Sequence, residues 1–391
     1  MAEELSYVIV TPYSIRKSRT GGIIARLISR TGLDLVGARM FSPSKELTEK
    51  YASTIVTDPE PRHRATQELI KEYVLKQFQA DGAGYLPRVL LLVFKGEDAV
   101  AKIRGVVGHI VNERTSGETI RDTYGDYVVD RAGKVTYFEP AVLAPPDLAS
   151  AEANLKLWAA HSDEDGGLLE DAIDFGQGGR AGGSVQKTLV LIKPDNFRFP
   201  NARPGGVIDV FSRTGLYIIG FKVHRMSVAQ AEEFYRPVLD VLMDKLKEPS
   251  GVRAKLAFER EFGFPLGEDA QRRLGDLLGP LAGRQNWESI VKFMSGMKPS
   301  ECPADKREEP GSEKCIALVY QGVDAVRKIR EVLGPTDPSK APPGSIRREF
   351  GSTIMVNAAH ASDSPENAER EMKIVQIEEN NLKPLIEAEF A

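Results

Sequence analysis

An internal repeat is the feature that most constrains how this chain can fold. The sequence SRTGL occurs at residues 29–33 and again at 212–216, and GGII at 21–24 is matched by GGVI at 205–208. Blocks that recur in the same order at a long period indicate a structural unit that has been duplicated. We therefore predict two copies of one fold, which we call copy one and copy two.

The distance between matching blocks changes along the chain and so locates the insertions. It is 183 residues for SRTGL but 226 residues between the blocks at 96–108 and 322–334, so copy two carries 43 extra residues. We place most of them at 240–284, which is charged and helix-prone, and the rest in a polar loop at 298–314. The distance then falls to 217, which gives copy one nine extra residues in a hairpin with its tip at 130–134.

The boundaries of the two copies follow from composition. Residues 162–186 are rich in Gly, Asp and Glu and contain the sequence GGRAGGS at 178–184, which is typical of a flexible linker. We therefore expect copy one over residues 1–161 and copy two over residues 187–391.

The pattern of apolar residues predicts the same order of elements in each copy: strand, helix, strand, helix, repeated once. In copy two the predicted strands are 188–192, 217–223, 315–320 and 352–356, and the predicted helices are 206–213, 228–235, 324–333 and 365–372. The inward face of the third of these helices consists of Val326, Ile329, Val332 and Leu333. Four short strands with helices between them indicate an α+β fold of two tandem ferredoxin-like (βαββαβ) domains, the second with a helical insertion.

Composition narrows the classes of function. Hydrophobic residues make up 41% of the chain and charged residues 28%, the net charge is -4, and no apolar run is long enough to span a membrane. The sequence MAEEL at the N-terminus lacks the basic and apolar regions of a signal peptide. Cys302 and Cys315 are too few for a disulfide framework and are expected as free thiols. We therefore expect a globular cytoplasmic protein with no membrane segment and no general nucleic-acid surface.

A single histidine in copy two is the strongest candidate for chemistry. His360 lies in the sequence NAAHASDS at 357–364, between a predicted strand and a predicted helix with Ser364 as its N-cap and Pro365 at its first position. Small neighbours leave the ring accessible, and imidazole is a nucleophile near neutral pH. A lone histidine in a loop is more often an ordinary solvated residue, so other groups must decide between the two interpretations.

Candidate anion-binding residues are spread along copy two. They are Lys193, Arg330, Thr336 and Arg347. Each alone also fits a solvated surface position. Together with a loop histidine they suit a polyphosphate, because Arg offers a planar fork for phosphate oxygens and Lys a compact charge. Such cations would offset the charge on a phosphoryl group during its transfer.

These residues carry a resemblance to a known family. The sequence at 357–364 resembles the active-site signature of nucleoside diphosphate kinases, Asn-x-x-His-[Gly/Ala]-Ser-Asp-[Gly/Ser/Ala], and VLIKPD at 190–195 resembles the opening strand of that family. The steps of 6, 11 and 13 residues from Arg330 through Thr336 and Arg347 to His360 also fit its pattern. The resemblance covers nearly all of copy two apart from its insertions, and the overall layout of copy one.

The resemblance implies a kinase that works by a ping-pong mechanism. The γ-phosphoryl group of a nucleoside triphosphate such as ATP would pass to His360 and then to a nucleoside diphosphate such as GDP. By position in the signature, Glu371 and Ser362 would orient the imidazole ring. Mg²⁺ would bridge the β- and γ-phosphates and rely little on protein ligands.

The resemblance also implies where the nucleotide binds. The nucleotide-binding residues would be Lys193, Tyr235, Arg330, Thr336, Arg347, Ile354 and Asn357. The family stacks the base on a Phe, but the corresponding position here is Asn286, followed by Trp287. Trp287 either stacks on the base or belongs to the core, and the sequence does not decide between these two interpretations. Without the resemblance, Glu371 also fits a solvated position on a helix, and Tyr235 also fits a packing position at a helix end.

Copy one lacks these groups. The Lys-Pro-Asp position reads Thr11-Pro12-Tyr13, and the position of the nucleophile falls at Leu143. We therefore interpret copy one as a structural partner that replaces a second subunit, and we expect a homo-oligomer, in the family's manner a trimer of tandem chains. The alternative to an active kinase is a nucleotide-binding regulatory or scaffold pseudoenzyme. The complete set of site residues in copy two favours the kinase.

Overall fold

The computed structural model describes residues 3–80, 85–110, 117–169, 172–173 and 184–391. Its residues form two compact units, which we describe separately. The main unit comprises Met1–Val223 and Ile316–Ala391, and the helical unit comprises His224–Cys315. Among the described residues no helix has the length and apolar character needed to cross a membrane. Both cysteines are free thiols, as expected.

Copy one is built on a four-stranded antiparallel sheet. Its elements are β1 (Glu3–Val10), α1 (Pro12–Arg16), α2 (Thr20–Thr31), β2 (Asp34–Phe41), α3 (Lys45–Ser53), α4 (Pro61–Gln77), β3 (Val89–Glu97), α5 (Ala99–Val107), α6 (Ile120–Tyr124), β4 (Asp126–Val129), β5 (Val135–Glu139), β6 (Val142–Leu143) and α7 (Leu148–Ala160). The sheet order is β2-β3-β1-β6, and β4 and β5 form the separate predicted hairpin. Asp130 closes that hairpin by accepting hydrogen bonds from the amides of Ala132 and Lys134.

Copy two repeats this architecture. Its elements are β7 (Val185–Ile192), α8 (Arg203–Ser212), β8 (Tyr217–His224), α9 (Val228–Lys245), α10 (Lys247–Phe262), α11 (Glu268–Ser295), β9 (Cys315–Val323), α12 (Ala325–Leu333), α13 (Ile346–Phe350), β10 (Ala359–Ala361), α14 (Pro365–Ile374) and α15 (Leu382–Glu389). The sheet order is β10-β7-β9-β8. In both copies the strands therefore lie in the order fourth, first, third, second, which confirms the duplicated ferredoxin-like fold.

The predicted strand at 352–356 is wrong. This segment is a loop closed on itself, because the amides of Ser352 and Thr353 donate to the Val356 carbonyl at 2.8 and 3.1 Å. Ile354 is 63% exposed, so its β-branched side chain has no sheet to pack against. The fourth strand is instead β10, three residues that contain His360 and pair with β7. A β-branched run favours a strand only where burial supports it.

The other predicted elements of copy two are confirmed, with shifted ends. The side chain of Ser364 caps α14 by accepting from the amide of Asn367 at 3.1 Å. In α12 the predicted inward residues Val326, Ile329 and Leu333 are buried, while Val332 packs at the edge of the core. Each of these predictions rests on contacts within one or two helical turns, which local sequence determines well.

The helical unit contains the predicted insertion. Its helices α9, α10 and α11 form a closely packed bundle in which glycines of α11 face the other two helices. A Cβ atom on Gly279 would lie 2.6 Å from Cα of Lys247, and one on Gly283 would lie 2.5 Å from Cα of Met243. Glycine at these positions is what lets the helix backbones touch. The predicted polar loop at 298–314 contains two short 3₁₀ turns, Pro299–Glu301 and Ala304–Lys306.

The two copies share one core within the main unit. Their buried apolar residues form a continuous cluster in which Ile24 and Leu27 of α2 join Val207 and Phe211 of α8. The matching GG pairs found in the sequence mark the contact between these helices. A Cβ atom on Gly205 would lie 2.2 Å from the carbonyl oxygen of its repeat partner in α2. The two copies therefore contact each other through the glycine pairs by which the repeat is recognised in the sequence.

The C-terminal segment ties copy two to copy one. Leu382 and Ile386 of α15 are buried in a second apolar cluster, whose other buried members all belong to copy one. Lys383 pairs with Asp163 at 2.8 Å, and Lys95 pairs with Glu389 at 2.7 Å. Water screens these exposed and partly exposed ion pairs, so they contribute little and apolar burial holds α15 in place.

The predicted linker begins as an ordered segment. Arg39 of β2 donates to the carbonyls of Ser162 and Gly166 at 3.0 and 3.2 Å. The amide of Leu169 then donates to the carbonyl of Ile219 in β8 at 2.8 Å. The start of the linker thus connects the edge strands of both sheets. Residues 178–183 of its glycine-rich end lie outside the described residues, and the predicted domain boundaries stay a prediction.

Candidate active site

A buried carboxylate holds the ring of His360. His360 is the central residue of β10 and pairs with Leu191 of β7. Its Nε2 atom lies 2.9 Å from Oε2 of Glu371, which is 5% exposed on α14. The Ser362 hydroxyl donates to the same carboxylate oxygen at 2.6 Å. The structure therefore brings together three residues that are up to 11 positions apart in the sequence.

This arrangement determines which ring nitrogen can react. An ionised carboxylate only accepts hydrogen bonds, so the contact with Glu371 places the proton of the neutral ring on Nε2. The lone pair is then on Nδ1, which becomes the nucleophilic nitrogen. Ser362 contacts the carboxylate oxygen that faces the imidazole, so it can act on the ring through Glu371.

Lys193 and Asn357 form a second pair beside the histidine loop. The Lys193 Nζ donates to Oδ1 of Asn357 at 2.9 Å and also to the Met355 carbonyl. Burial lowers the pKa of Lys193 to about 8, and this effect is partly offset by Asp195 and reinforced by Arg347. A lysine that gives up its charge this readily gains much from a bound anion.

The side-chain amide of Asn357 joins two further predicted residues. Its Nδ2 donates to the backbone carbonyls of Thr336 at 3.1 Å and Ile354 at 2.8 Å. The Thr336 side chain lies on an exposed loop, and that of Ile354 is also exposed. Asn357 is therefore the residue through which the three loops around the site are connected.

The two predicted arginines have different environments. Arg347 on α13 donates to the carbonyls of Gly334 at 3.0 Å and Ala359 at 3.2 Å, which links the end of α12 to β10. Arg330 lies on the exposed face of α12 and lines a surface hollow together with Asp363. A hydrogen bond from Asn367 lowers the pKa of Asp363, and Arg330 adds to this effect.

Sequence reasoning missed the residues that hold the backbone next to His360. Ala358 has a φ of 69°, and the amide of Ala359 donates to the Asn357 carbonyl at 2.8 Å, which defines a γ-turn. The Ala358 carbonyl accepts from the side-chain amide of Asn196 at 2.8 Å, and its N–H donates to Asp195 at 3.3 Å. The available signal was the position of both residues directly after the Lys-Pro pair of the opening strand.

Tyr235 and Trp287 belong to the helical unit, where both are buried. The indole Nε1 of Trp287 donates to the Tyr235 carbonyl at 2.9 Å. Trp287 thus occupies an interior position of that unit, while its neighbour Asn286 is exposed. The other predicted site residues lie in the main unit.

The β-strand register of copy one identifies the residue in the position of His360. Leu143 pairs with Ile9 in β1, as His360 pairs with Leu191 in β7. The γ-turn is also repeated, because Ala141 has a φ of 61°. The backbone around His360 is therefore repeated in copy one, where Leu143 stands in its place.

In copy one a threonine replaces the lysine and bonds to a buried carboxylate. Thr11 stands where Lys193 stands in copy two, and its hydroxyl donates to Glu139 at 2.9 Å. The Tyr73 hydroxyl donates to the other oxygen of Glu139 at 2.7 Å. Burial raises the pKa of Glu139, although these hydrogen bonds oppose the shift. Where copy two has a lysine, copy one therefore has a threonine bonded to a buried acid. This is the place where the resemblance puts the phosphates.

The groups around His360 suit a polyphosphate rather than a bare metal ion. Among the described residues there is no group of three or more His, Cys, Asp or Glu arranged to hold a metal. The Glu371 carboxylate is already engaged by two partners, and Lys193 and Arg347 are both cationic. These residues fit Mg²⁺ that arrives bound to nucleotide phosphates.

Comparison with known proteins identifies the family. A family model described as nucleoside diphosphate kinase matches residues 4–159 and 305–380. A nucleoside diphosphate kinase of Pyrobaculum aerophilum is 29% identical over 209 residues, which cover 51% of this chain and 99% of that protein. One from Halorhodospira halophila is 30% identical over 190 residues, with coverages of 49% and 92%. A crystal structure of the Aquifex aeolicus enzyme covers 49% of this chain and 95% of its own, with 27% identity and a TM-score of 0.31.

The chain therefore belongs to the nucleoside diphosphate kinase family, a family of phosphotransferases. It is a tandem member, because the family match includes segments of both copies. Its N-terminal copy is degenerate at the position of the nucleophile.

The lowered pKa of Lys193 predicts a pH dependence of nucleotide binding. Below pH 8 the ammonium is charged, and above it the free protein loses this charge. A bound phosphate favours the charged form, so the affinity for a nucleoside diphosphate should fall by up to about tenfold per pH unit above that pKa. Calorimetry at pH 8.5 in two buffers should show proton uptake on binding. The Lys193→Gln variant should bind more weakly without this uptake, and equal uptake by both proteins would contradict the assignment.

Proposed function

We propose that copy two transfers the γ-phosphoryl group of a nucleoside triphosphate to a nucleoside diphosphate through a phosphohistidine at His360. The observation that carries this proposal is the contact between His360 Nε2 and the buried Glu371 carboxylate, supported by Ser362. It leaves Nδ1 as the nucleophile on a partly exposed ring, and Lys193 and Arg347 bond to Asn357 and Ala359 just before His360. ATP and GDP are examples of the donor and the acceptor.

The first half-reaction forms a bond between Nδ1 of His360 and the γ-phosphorus. The bond from that phosphorus to the β–γ bridging oxygen breaks, and its electron pair leaves with the nucleoside diphosphate. The imidazolium that results keeps the proton on Nε2 and donates it in a hydrogen bond to Glu371. The negative charge of this carboxylate offsets the new positive charge. In the second half-reaction a terminal oxygen of another nucleoside diphosphate attacks the phosphorus, and the electron pair of the N–P bond returns to Nδ1.

The nucleotide-binding roles are part of the same proposal. Lys193, Arg330, Thr336, Arg347 and Asn357 would hold the phosphates and sugar, and Ile354 would cover one face of the base. Mg²⁺ bound to the phosphates would neutralise part of their charge. For Tyr235 and Trp287 the support is the sequence resemblance alone, and the buried position of Trp287 in its own unit gives no further support to base stacking.

Copy one is proposed to serve as a structural partner. It supplies half of the shared core and receives α15, while its own site holds Leu143 and a buried acid. We also propose a cytoplasmic location, because reducing compartments keep cysteines as the free thiols seen here. Fractionation of the source cells would test the location.

Labelling with γ-³²P-ATP should test the phosphohistidine. We expect an acid-labile, base-stable phosphoprotein that GDP discharges. The His360→Gln variant should show no label, because the amide cannot attack phosphorus, yet it can still donate to Glu371. Replacement by Ala is less informative, since a buried charge without its partner costs about 3–5 kcal/mol.

The matched control is His63→Gln, which alters an exposed histidine of copy one. It should label like the unmodified protein. Full labelling of His360→Gln, or no labelling of the unmodified protein, would contradict the proposal.

The tandem architecture predicts an oligomer of three chains. Each chain already contains two fused copies of the fold, so three chains would bring together six copies. Size-exclusion chromatography with light scattering measures the mass directly. A mass near that of one 43.0 kDa chain would contradict the trimer.

A further inference from the structure

We propose that Asn196 is a positioning residue for His360, acting through the γ-turn at Ala358. This inference rests on the proposed phosphotransfer function. The turn lies two residues before the nucleophile, so its conformation sets the direction in which β10 begins. Asn196 is fully buried, follows the end of β7 by four residues, and reaches the turn through its side-chain amide.

The turn needs external support. A γ-turn with positive φ is rare and strained for a residue that carries a Cβ atom, and Ala358 has a φ of 69°. Its carbonyl accepts from the backbone amide of Lys193 at 2.9 Å and from Nδ2 of Asn196 at 2.8 Å. Strain of this kind persists only where the surroundings determine the backbone.

Asn196 is itself held in place. Its Nδ2 also donates to the Lys193 carbonyl at 2.9 Å, so one amide group joins the end of β7 to the turn before β10. Its backbone carbonyl accepts from the side chain of Asn201 at 3.1 Å, and its Oδ1 faces Nε of Arg203 at 3.4 Å. Because its amide bonds to both segments, the Asn196 side chain can fix the turn relative to the end of β7.

Asn196 bonds to the backbone carbonyl of Lys193, whereas the side chains proposed to hold the nucleotide are fixed by other hydrogen bonds. The side chain of Asn357 is fixed by Lys193, Thr336 and Ile354, and none of these bonds passes through Asn196. Loosening the turn should therefore move the His360 ring without removing the groups that hold phosphate. This predicts a loss of rate with little loss of affinity.

Copy one contains a natural comparison. Ser14 occupies the position of Asn196, and its hydroxyl donates to the Ala141 carbonyl at 2.9 Å. Thr11 donates to the same carbonyl from its amide at 3.2 Å and from its hydroxyl at 3.0 Å, so the turn of copy one is also held by hydrogen bonds to its central carbonyl. Ser14 is also fully buried, so its removal controls for the general cost of cutting such a bond.

The experiment compares Asn196→Ala, Asn196→Ser and Ser14→Ala. Asn196→Ala should slow single-turnover phosphorylation of His360 by ATP about tenfold to a hundredfold, because a displacement of about 1 Å suffices for such a loss. Its affinity for ADP should stay unchanged. Asn196→Ser, which keeps a donor for the Ala358 carbonyl, should recover most of the rate. Ser14→Ala should lower the thermal midpoint but label like the unmodified protein.

The outcomes separate this inference from the proposed function. Absence of labelling in the unmodified protein overturns phosphotransfer, and the role of Asn196 falls with it. If the unmodified protein labels normally and folded Asn196→Ala labels at the same rate, phosphotransfer stands and the positioning role is overturned. A parallel loss of ADP affinity and rate would also overturn it, because Asn196 would then support the binding site as a whole. If Asn196→Ala does not fold, Asn196→Leu, which fills the same space without a donor for the Ala358 carbonyl, takes its place: a rate deficit without an affinity deficit supports the inference, and no deficit overturns it.

Discussion

The hydrogen bond between His360 and Glu371 is the interaction on which the proposed chemistry of this protein depends. Glu371 is buried, and a buried carboxylate is costly unless hydrogen bonds compensate it. His360 and Ser362 supply that compensation at 2.9 and 2.6 Å. The same bonds fix the tautomer and orientation of the ring. In the proposed reaction stability and reactivity are thus linked, because the contacts that compensate the buried carboxylate also prepare Nδ1 for attack.

The duplication shows which parts of the site belong to the fold and which belong to the reaction. Both copies have the γ-turn and the arginine that bridges the end of a helix to the fourth strand, Arg121 in copy one and Arg347 in copy two. Copy one differs in its side chains, where Leu143 replaces the histidine and Glu139 fills the position near the lysine. The same backbone can therefore carry a site with a histidine and a lysine or a site that lacks both. A few side chains decide between the two.

Much of the fold was predictable from the sequence because local patterns determine it. The repeat revealed two copies, the Ser364 cap was visible from its neighbours, and the amphipathic face of α12 followed from its spacing. The strand β10 was missed because its sequence, Ala-His-Ala, has no preference for a strand, and pairing with β7 alone makes it one. The family signature, rather than spacing, connected His360 to Glu371. The bridge from Asn196 to Ala358 spans 162 positions, and no local pattern announces such a contact.

The most direct test of this account is to identify the phosphorylated atom. After incubation with ATP, ³¹P nuclear magnetic resonance of the denatured protein at alkaline pH distinguishes phosphate on Nδ1 from phosphate on Nε2, and peptide mapping identifies the residue. Because Glu371 engages Nε2, the account predicts phosphate on Nδ1 of His360 alone. Phosphate on Nε2, on another residue, or absent from the protein would contradict it.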